Sequence, residues 1–398
     1  MPKDLAPAQR ASALTRLRQL KMAKSTHAYV RGNTARFYEW LAQSPVANTL
    51  PEGPAVWICG DCHLGNLGPI ADAKGHVDIQ IRDLDQTVIG NPAHDIVRLA
   101  LSLQTAVRGS DLPGVVSARM IEAIADSYEA AFTEADVAEP PSQIVRTVQK
   151  AALGRRWKHL ARERISDIEP KIPRGKKYWA VTDNERFALE ELVASPQVQS
   201  LALTAFTSDR DSSIKIHDAA YWRKGCSSLG LLRFAVLISV TQNDGKAKFG
   251  LIDVKQAVAS VAPAAAGAQM PHDPAERVVA GARALSPNLG DRMVAAKLLG
   301  KSVLVRELLP QDLKIEVEQF SRAEAIASAR YLAAVVGKAH ARQMDQATRA
   351  QWHAVLAGAH GQTLDAPPWL WRAVVDLAAT HEAAYLEHCR DYALNQAA

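Results

Sequence analysis

Oxygen-bearing side chains suited to holding a metal ion and moving a proton crowd into one short stretch. It reads Ile58-Cys-Gly-Asp-Cys-His-Leu-Gly-Asn66, followed by Ile81-Arg-Asp-Leu-Asp85 and Gly90-Asn-Pro-Ala-His-Asp95. Carboxylate and amide oxygens are hard donors that suit magnesium, and a carboxylate can also accept the proton of an attacking hydroxyl. Phosphoryl transfer needs both devices, because its catalysis is mostly positioning and charge neutralisation. Asp61 and Asn66 stand five residues apart. Asp83 follows the alternating segment Val77–Ile81, so loop and strand form a hairpin able to return Asp83 beside Asn66. Asp83 and Asp85 together also read as a turn pair, and His63 reads first as a satisfied structural histidine. Asp95 caps the helix after Pro92 or supports the Asp61 loop from it.

A second group of residues lies far downstream. Lys224-Gly225-Cys-Ser227-Ser228-Leu-Gly230 precedes a β-rich run, Leu231–Val240. Small residues let backbone N–H groups approach phosphate oxygens, and serine hydroxyls add contacts; a plain tight turn is the simpler reading. Asn243-Asp-Gly245 is a hairpin turn signal, and Phe249–Val254 the return strand. That strand ends Ile252-Asp-Val-Lys255, where a strand lysine would meet phosphates as a point charge. Over 274–290 the only acid is Glu276. It is placed either to pair with Lys255 or to serve the first turn of its own helix, which Asp273 and Pro274 open.

The first group resembles the Gly-Asp-x-His-x-x-Asn, Asp, Gly-Asx-Pro-Ala-x-Asp series of aminoglycoside and choline kinase-like phosphotransferases. The resemblance implies Asp61 as catalytic base, with His63 beside it, Asn66 and Asp83 (or Asp85) as Mg2+ ligands, and Asp95 as a brace for the loop. Gly225, Ser227, Ser228, Gly230, Lys255, Glu276 and Glu307 become the ATP-binding set, with Val303–Leu308 resembling the strand and hinge that cradle adenine. Cys59 departs from the pattern, which usually has His there. The order departs too: nucleotide-binding motifs follow the catalytic ones, as in a circularly permuted chain, which packing tolerates because contacts rather than chain order define the folded state. The implied fold is α+β and bilobal, kinase-like. A mostly helical catalytic lobe covers 1–213, a β-rich nucleotide lobe 214–310, and a helical segment completing the first lobe 311–398.

The whole chain also looks like the bacterial domain-of-unknown-function 2252 family. That resemblance rests on Ala28-Tyr-Val-Arg-Gly32, Cys59–Asn66, Asp83-Leu-Asp85, Ser227–Gly230, Ile252–Gln256, Glu276–Gly281, Val305-Arg306 and Ala339-His-Ala-Arg342. Ala280 departs from it, where the family commonly has an acid. The family brings no defined substrate, so the acceptor is expected only to bear a hydroxyl or amine and to be a small molecule, which is itself phosphorylated in one version. Arg31 suits phosphate recognition or a structural pairing.

The elements that must position these residues are mostly helical: 8–45 with a break near Lys24–Thr26, 93–107, 112–165 and 321–343. Strands are expected at Ala55–Cys59, Val77–Ile81 and Ser302–Arg306. At 398 residues and 48% hydrophobic, the chain can bury a sizeable core. Four cysteines are too few for a disulfide framework, and the charged opening MPKDLAPAQR lacks a secretory signal, so a cytoplasmic location is expected. No apolar run is long enough to span a bilayer. Eleven Lys and Arg against three acids give residues 144–177 a net +8, leaving −3 elsewhere. A solvated face explains this stretch; nucleic acid ranks last, because aromatics there stop at Trp157, Tyr178 and Trp179. Rival readings are a nucleotide-binding regulator that transfers nothing, a nucleotidyl (AMP) transferase on the same fold, and a thiol oxidoreductase built on Cys59-Gly-Asp-Cys62.

Overall fold

Local sequence signals set most element boundaries in the computed structural model, which describes residues 5–72, 76–108, 112–133, 140–154, 171–206, 213–226, 228–241, 247–308, 321–360 and 366–397. Ser227, the turn at 243–245 and residues 155–170 of the basic stretch lie outside the described residues. The expected helical N-terminal region divides into α1 (Pro7–Met22), α2 (Thr26–Gly32) and α3 (Thr34–Gln43). The break falls at Ser25, whose hydroxyl accepts the Ala28 N–H at 3.1 Å and so satisfies one unpaired donor of α2.

Four short strands follow. β1 (Val56–Ile58) pairs antiparallel with β4 (Val88–Gly90), and between them β2 (Leu67–Ala71) and β3 (Val77–Ile81) make a hairpin. Helices α4 (Ala93–Arg108), α5 (Gly114–Ala130) and α6 (Gln143–Gly154) come next, so the described part of 112–165 is largely helical as expected, in two helices. Beyond β5 (Tyr178–Ala180) lie α7 (Asp183–Ala194) and α8 (Pro196–Phe206), two helices the sequence reading did not anticipate. The signal was present at α7: Thr182 and Glu185 form a capping box, and Glu185 also pairs with buried Arg10 at 2.6 Å.

The β-rich region contains β6 (Ser213–Trp222), β7 (Arg233–Thr241), β8 (Ala247–Gln256), α9 (Pro274–Leu285), β9 (Met293–Leu298) and β10 (Lys301–Leu308). With β5 these strands build a six-stranded sheet in the order β5-β6-β7-β8-β10-β9, antiparallel at every step. Period-two alternation sorts its side chains. Phe234, Val236, Ile252, Val254, Val303 and Val305 pack on one face in a core shared with α7 and α8. Arg233, Asp253, Lys255 and Arg306 alternate with them and emerge on the other face. The chain closes with α10 (Arg322–Ala341), α11 (Gln346–Gly358) and α12 (Pro368–Ala397).

The molecule is thus a mixed, helix-rich α/β structure around that sheet. Its largest core joins β1–β4 to α4, α5, α10 and α12 through residues such as Leu99, Ile124, Leu332 and Leu377. No helix among the described residues is long and apolar enough to cross a membrane.

α10 lies close against α5 because Gly337 has no side chain: a Cβ there would fall 2.6 Å from the Ala131 Cβ. Gly337→Val is therefore expected to force the helices apart and cost about 1–3 kcal/mol of stability, the usual range for overpacking, read by denaturant titration.

Candidate active site

The Asp61 loop is held from beneath by a carboxylate. Asp95, in the first turn of α4, is fully buried and accepts the N–H of Cys59 at 2.7 Å and of Gly60 at 3.0 Å. It is a brace for the loop, as the resemblance implied. His340 of α10 sits behind it, with Nε2 3.2 Å from Asp95, while Nδ1 lies 2.9 Å from the Tyr128 hydroxyl. A carboxylate accepts, so Nε2 carries the proton and Nδ1 takes the tyrosine hydrogen. Tyr38 completes the support by donating to the Gly60 carbonyl at 2.6 Å. Gly60 itself has φ +74°, and a Cβ there would lie 2.1 Å from the Gln86 carbonyl oxygen. Only glycine fits this turn.

Asp61 is buried beside Arg98, whose guanidinium donates to Oδ1 at 3.0 Å and to the Val30 carbonyl at 2.6 Å. Burial pushes the Asp61 carboxyl above its ordinary range against the pull of Arg98. His63 Nε2 stands 3.8 Å from Asp61 Oδ2, too far for a hydrogen bond, and burial with Arg31 and Arg98 nearby keeps its imidazole neutral. Asn66 donates its amide to the Asp61 carbonyl at 2.9 Å, which leaves its side-chain oxygen for another partner. The β2–β3 hairpin returns the chain as expected: Leu67 faces Ile81, and the Arg82 N–H donates to the Asn66 carbonyl at 2.7 Å. Arg31 lies over Gly65 of the same loop, 2.5 Å from where a Cβ would stand.

Lys255 reaches this hairpin from the sheet. Its ammonium is 3.1 Å and 3.3 Å from the two Asp83 oxygens and also pairs with Asp85. Next to it, Asp253 is wholly buried between Arg233, at 2.5 Å and 2.9 Å, and Arg306, at 3.2 Å and 3.3 Å. Three cations thus face three carboxylates across one sheet face. Burial works against ionising Asp83, but Lys255, Arg233 and Arg306 outweigh it and hold that carboxyl well below its ordinary range. Burial, and then the charge on Asp83, push Asp85 the other way, up to about 6. Burial likewise opposes the charge on Lys255, yet the two aspartates prevail and raise its pKa. The Asp83 side chain keeps 44% of its surface accessible, against 21% for Asp85. A cavity of about 20 Å³ borders Asp83, Asp85, Lys255 and Arg306, room for a single water or ion.

Other expected positions fall elsewhere. Glu276 does not meet Lys255; it is exposed in the first turn of α9, where Asp273 supplies the cap at 2.8 Å from the Ala275 N–H. Lys255 takes aspartates instead because they lie directly across the sheet face. The carboxylate of Glu307 turns to Arg292 at 3.2 Å and is buried. Gly225 and Gly230 both have positive φ, +96° and +106°, and the Gly225 carbonyl accepts from Lys21 at 2.7 Å, so the 224–230 loop docks on α1. Ser228 closes a turn to Leu231 there, at 3.2 Å. Arg98, Arg233, Asp253 and His340 escaped the sequence reading as site groups. Arg98 was signalled by its spacing three residues after Asp95 on one helix face, and Asp253 and His340 lay inside stretches that carry the family resemblance, though without a role.

Cys59 and Cys62 are fully buried, and both thiols are pushed above their ordinary range. They approach Asp95 closely enough to suggest a metal cluster, but that carboxylate is already saturated by Cys59, Gly60 and His340. At Cys62 the hydrogen bond from Cys59 and the charge on Arg98 favour a thiolate, but burial with Asp95 and Asp61 nearby outweighs them.

The family model described as an uncharacterized protein conserved in bacteria (DUF2252) matches residues 10–391. The chain belongs to this DUF2252 family. No curated protein and no solved structure matches it. The matched span takes in all the site residues named above, from Arg31 to His340, so the family's own region contains both the Asp61 loop and the sheet face opposite it.

Two measurements test this electrostatic arrangement. Asp253→Ala strands Arg233 and Arg306 without their shared counter-ion, and about 3–5 kcal/mol of stability should be lost in chemical denaturation. Asp85 keeps its proton to higher pH folded than unfolded, where aspartate titrates near about 4. Its protonation therefore favours folding fully below about 4, and that contribution is lost as pH rises through about 6. Carbon-13 NMR of labelled aspartates should find one carboxyl titrating near that upper value, and Asp85→Asn should remove it. A titration that survives the substitution contradicts the assignment.

Proposed function

We propose that this DUF2252 protein is a phosphotransferase of the protein kinase-like superfamily, using Mg-ATP to phosphorylate a hydroxyl- or amine-bearing small molecule. One observation carries the reading: Lys255 meets Asp83 at 3.1 Å, although 172 residues separate them and the nucleotide motifs follow the catalytic ones. A strand lysine beside a metal-binding aspartate and an Asp-x-x-x-x-Asn loop is the constellation that phosphoryl transfer uses. A bilobal fold with circularly permuted order belongs to this proposal.

The donors suit magnesium. Asp83 offers an ionised, part-exposed carboxylate, and Asn66 has a side-chain oxygen left over once its amide is spent on Asp61. Asp85 adds a third oxygen donor on the same turn. Bound magnesium supplies charge neutralisation for the transferring phosphates. Asp61 is then placed to act as the base. Arg98 engages Oδ1 and fixes the carboxylate, and Oδ2 is assigned to the acceptor's hydroxyl, whose proton it takes. Its raised pKa makes it a better base than an exposed aspartate. Lys255 exchanges its aspartates for phosphate oxygens when nucleotide enters.

Calorimetric titration of ATP with magnesium tests the reading. Wild type should bind, Asp83→Ala should bind at least about tenfold more weakly, and Asp61→Asn should bind normally but transfer nothing. Equal or absent binding in wild type and Asp83→Ala counts decisively against it.

A further inference from the structure

Along the free edge of β9 runs a groove of about 480 Å³ lined by side chains from both sheet faces. One wall is that edge from Ala295 to Leu299, and the other is α7 with the start of α9. The register determines which backbone groups point into the groove. β9 and β10 are joined by the two-residue turn Leu299-Gly300, closed by the pair Leu298 and Lys301. Hydrogen-bonded pairs then recur at every second position, so Ala296 and Val294 bond inward while Ala295 and Lys297 turn outward. The carbonyl of Ser302, which faces Lys297, fits this phase by accepting the Ala257 N–H on the β8 side at 2.9 Å. Among the described residues nothing pairs with the outward groups of Ala295 and Lys297.

The rim has two further features. Leu299 has φ +50°, the one non-glycine residue with positive φ among those described, and is 38% exposed. Asparagine, aspartate or glycine ordinarily occupies this turn position, so a leucine there accepts backbone strain without burying itself in its own chain. Phe187 of α7, next to groove-lining Ala188 and one helical turn before Glu191, is 61% exposed, the one aromatic among the exposed large hydrophobic residues described. The groove is also acidic. Glu191, Asp273 and Glu276 line it against Lys297, whose charge is already committed to Asp273.

We propose that the β9 edge is a docking site for an extended segment of a partner protein that alternates basic and apolar residues. The segment adds as a seventh strand, with its backbone bonding to Ala295 and Lys297. Its cations face Glu191 and Glu276, and its apolar side chains cover Leu299 and Phe187. Strand addition of this kind draws affinity from main-chain hydrogen bonds and selectivity from alternate side chains. An unpaired edge beside an acid-lined groove with apolar side chains exposed near it provides for both. The site lies along the sheet edge and shares no lining residue with the cavity at Asp83, so it stands apart from the phosphotransferase reading.

The test uses the full chain and a fluorescein-labelled peptide alternating Val and Lys, beside a Val and Glu counterpart and a Val and Lys version N-methylated at alternate amides. The Val and Lys peptide should bind, and at saturation amide exchange across β9 should slow by about tenfold by mass spectrometry. Both control peptides should bind at least about tenfold more weakly. Leu299→Gly should leave the melting temperature equal or higher, since glycine suits that turn, yet weaken binding about tenfold. Glu191→Lys with Glu276→Lys should do the same to affinity. Unchanged exchange across β9, or equal binding of the N-methylated peptide, overturns the proposal. A stable dimer in sedimentation that Leu299→Gly dissolves also overturns it, because the edge then pairs with a second copy.

Discussion

The ammonium of Lys255, shared between Asp83 and Asp85, is the contact on which the arrangement depends. It ties the sheet to the turn that follows the β2–β3 hairpin. Beside it, Asp253 does the same for Arg233 and Arg306. A buried charge is tolerable only with a partner, and removing one partner costs more than the pair contributes. The three carboxylates and three cations therefore constrain each other: shifting β8 by one residue would turn Asp253 and Lys255 into the valine-rich core and leave their partners stranded.

The Asp61 loop obeys the same logic by other means. Its backbone N–H groups are satisfied by Asp95, Asp95 by His340, and His340 by Tyr128. Each member is buried, so an unsatisfied link would carry a desolvation penalty. The brace draws on α4, α5 and α10, the last contributed from more than two hundred residues downstream. Beyond its backbone N–H, which Asp95 takes up, Cys59 at the head of the loop brings only thiol contacts, to Cys62 and to the Asp83 carbonyl at 3.5 Å. An apolar-tolerant residue suffices where the brace already meets the backbone's demands.

The face and the edge of the sheet carry different chemistry. The face towards Asp83 is ionic and nearly closed, while the β9 edge beyond it is open, strained at Leu299 and acidic. An edge strand left unpaired is a hazard that proteins usually blunt with bulges, prolines or cover. β9 has no proline and no bulge along Ala295–Leu298, and the adjoining turn displays a leucine rather than hiding one.

Much of this was legible in the chain alone. Local rules placed β3, α4 and α9 within a residue or so, because alternation, helical spacing and the Asp273-Pro274 cap each act over a few neighbours. The Asp61–Asn66 loop, Asp83 and Lys255 were recognisable as chemistry because residue type and spacing state what they can do. The partner of Lys255 was not. Glu276 was a sensible guess from chain distance, yet which carboxylate an ammonium meets depends on the strand that faces it, and that follows from β8 packing against the hairpin. Likewise His340, Arg233 and Arg306 became site residues only through long-range packing, since no local signal separates a histidine or arginine that braces a loop from one that faces water. β2, α7, α8 and β9 went unseen for a related reason: short or weakly patterned segments acquire their structure from the surfaces they cover. Sequence determined which groups were available and how the chain bends nearby; tertiary structure decided which charges meet, because burial makes pairing compulsory and only the folded chain fixes who is buried beside whom.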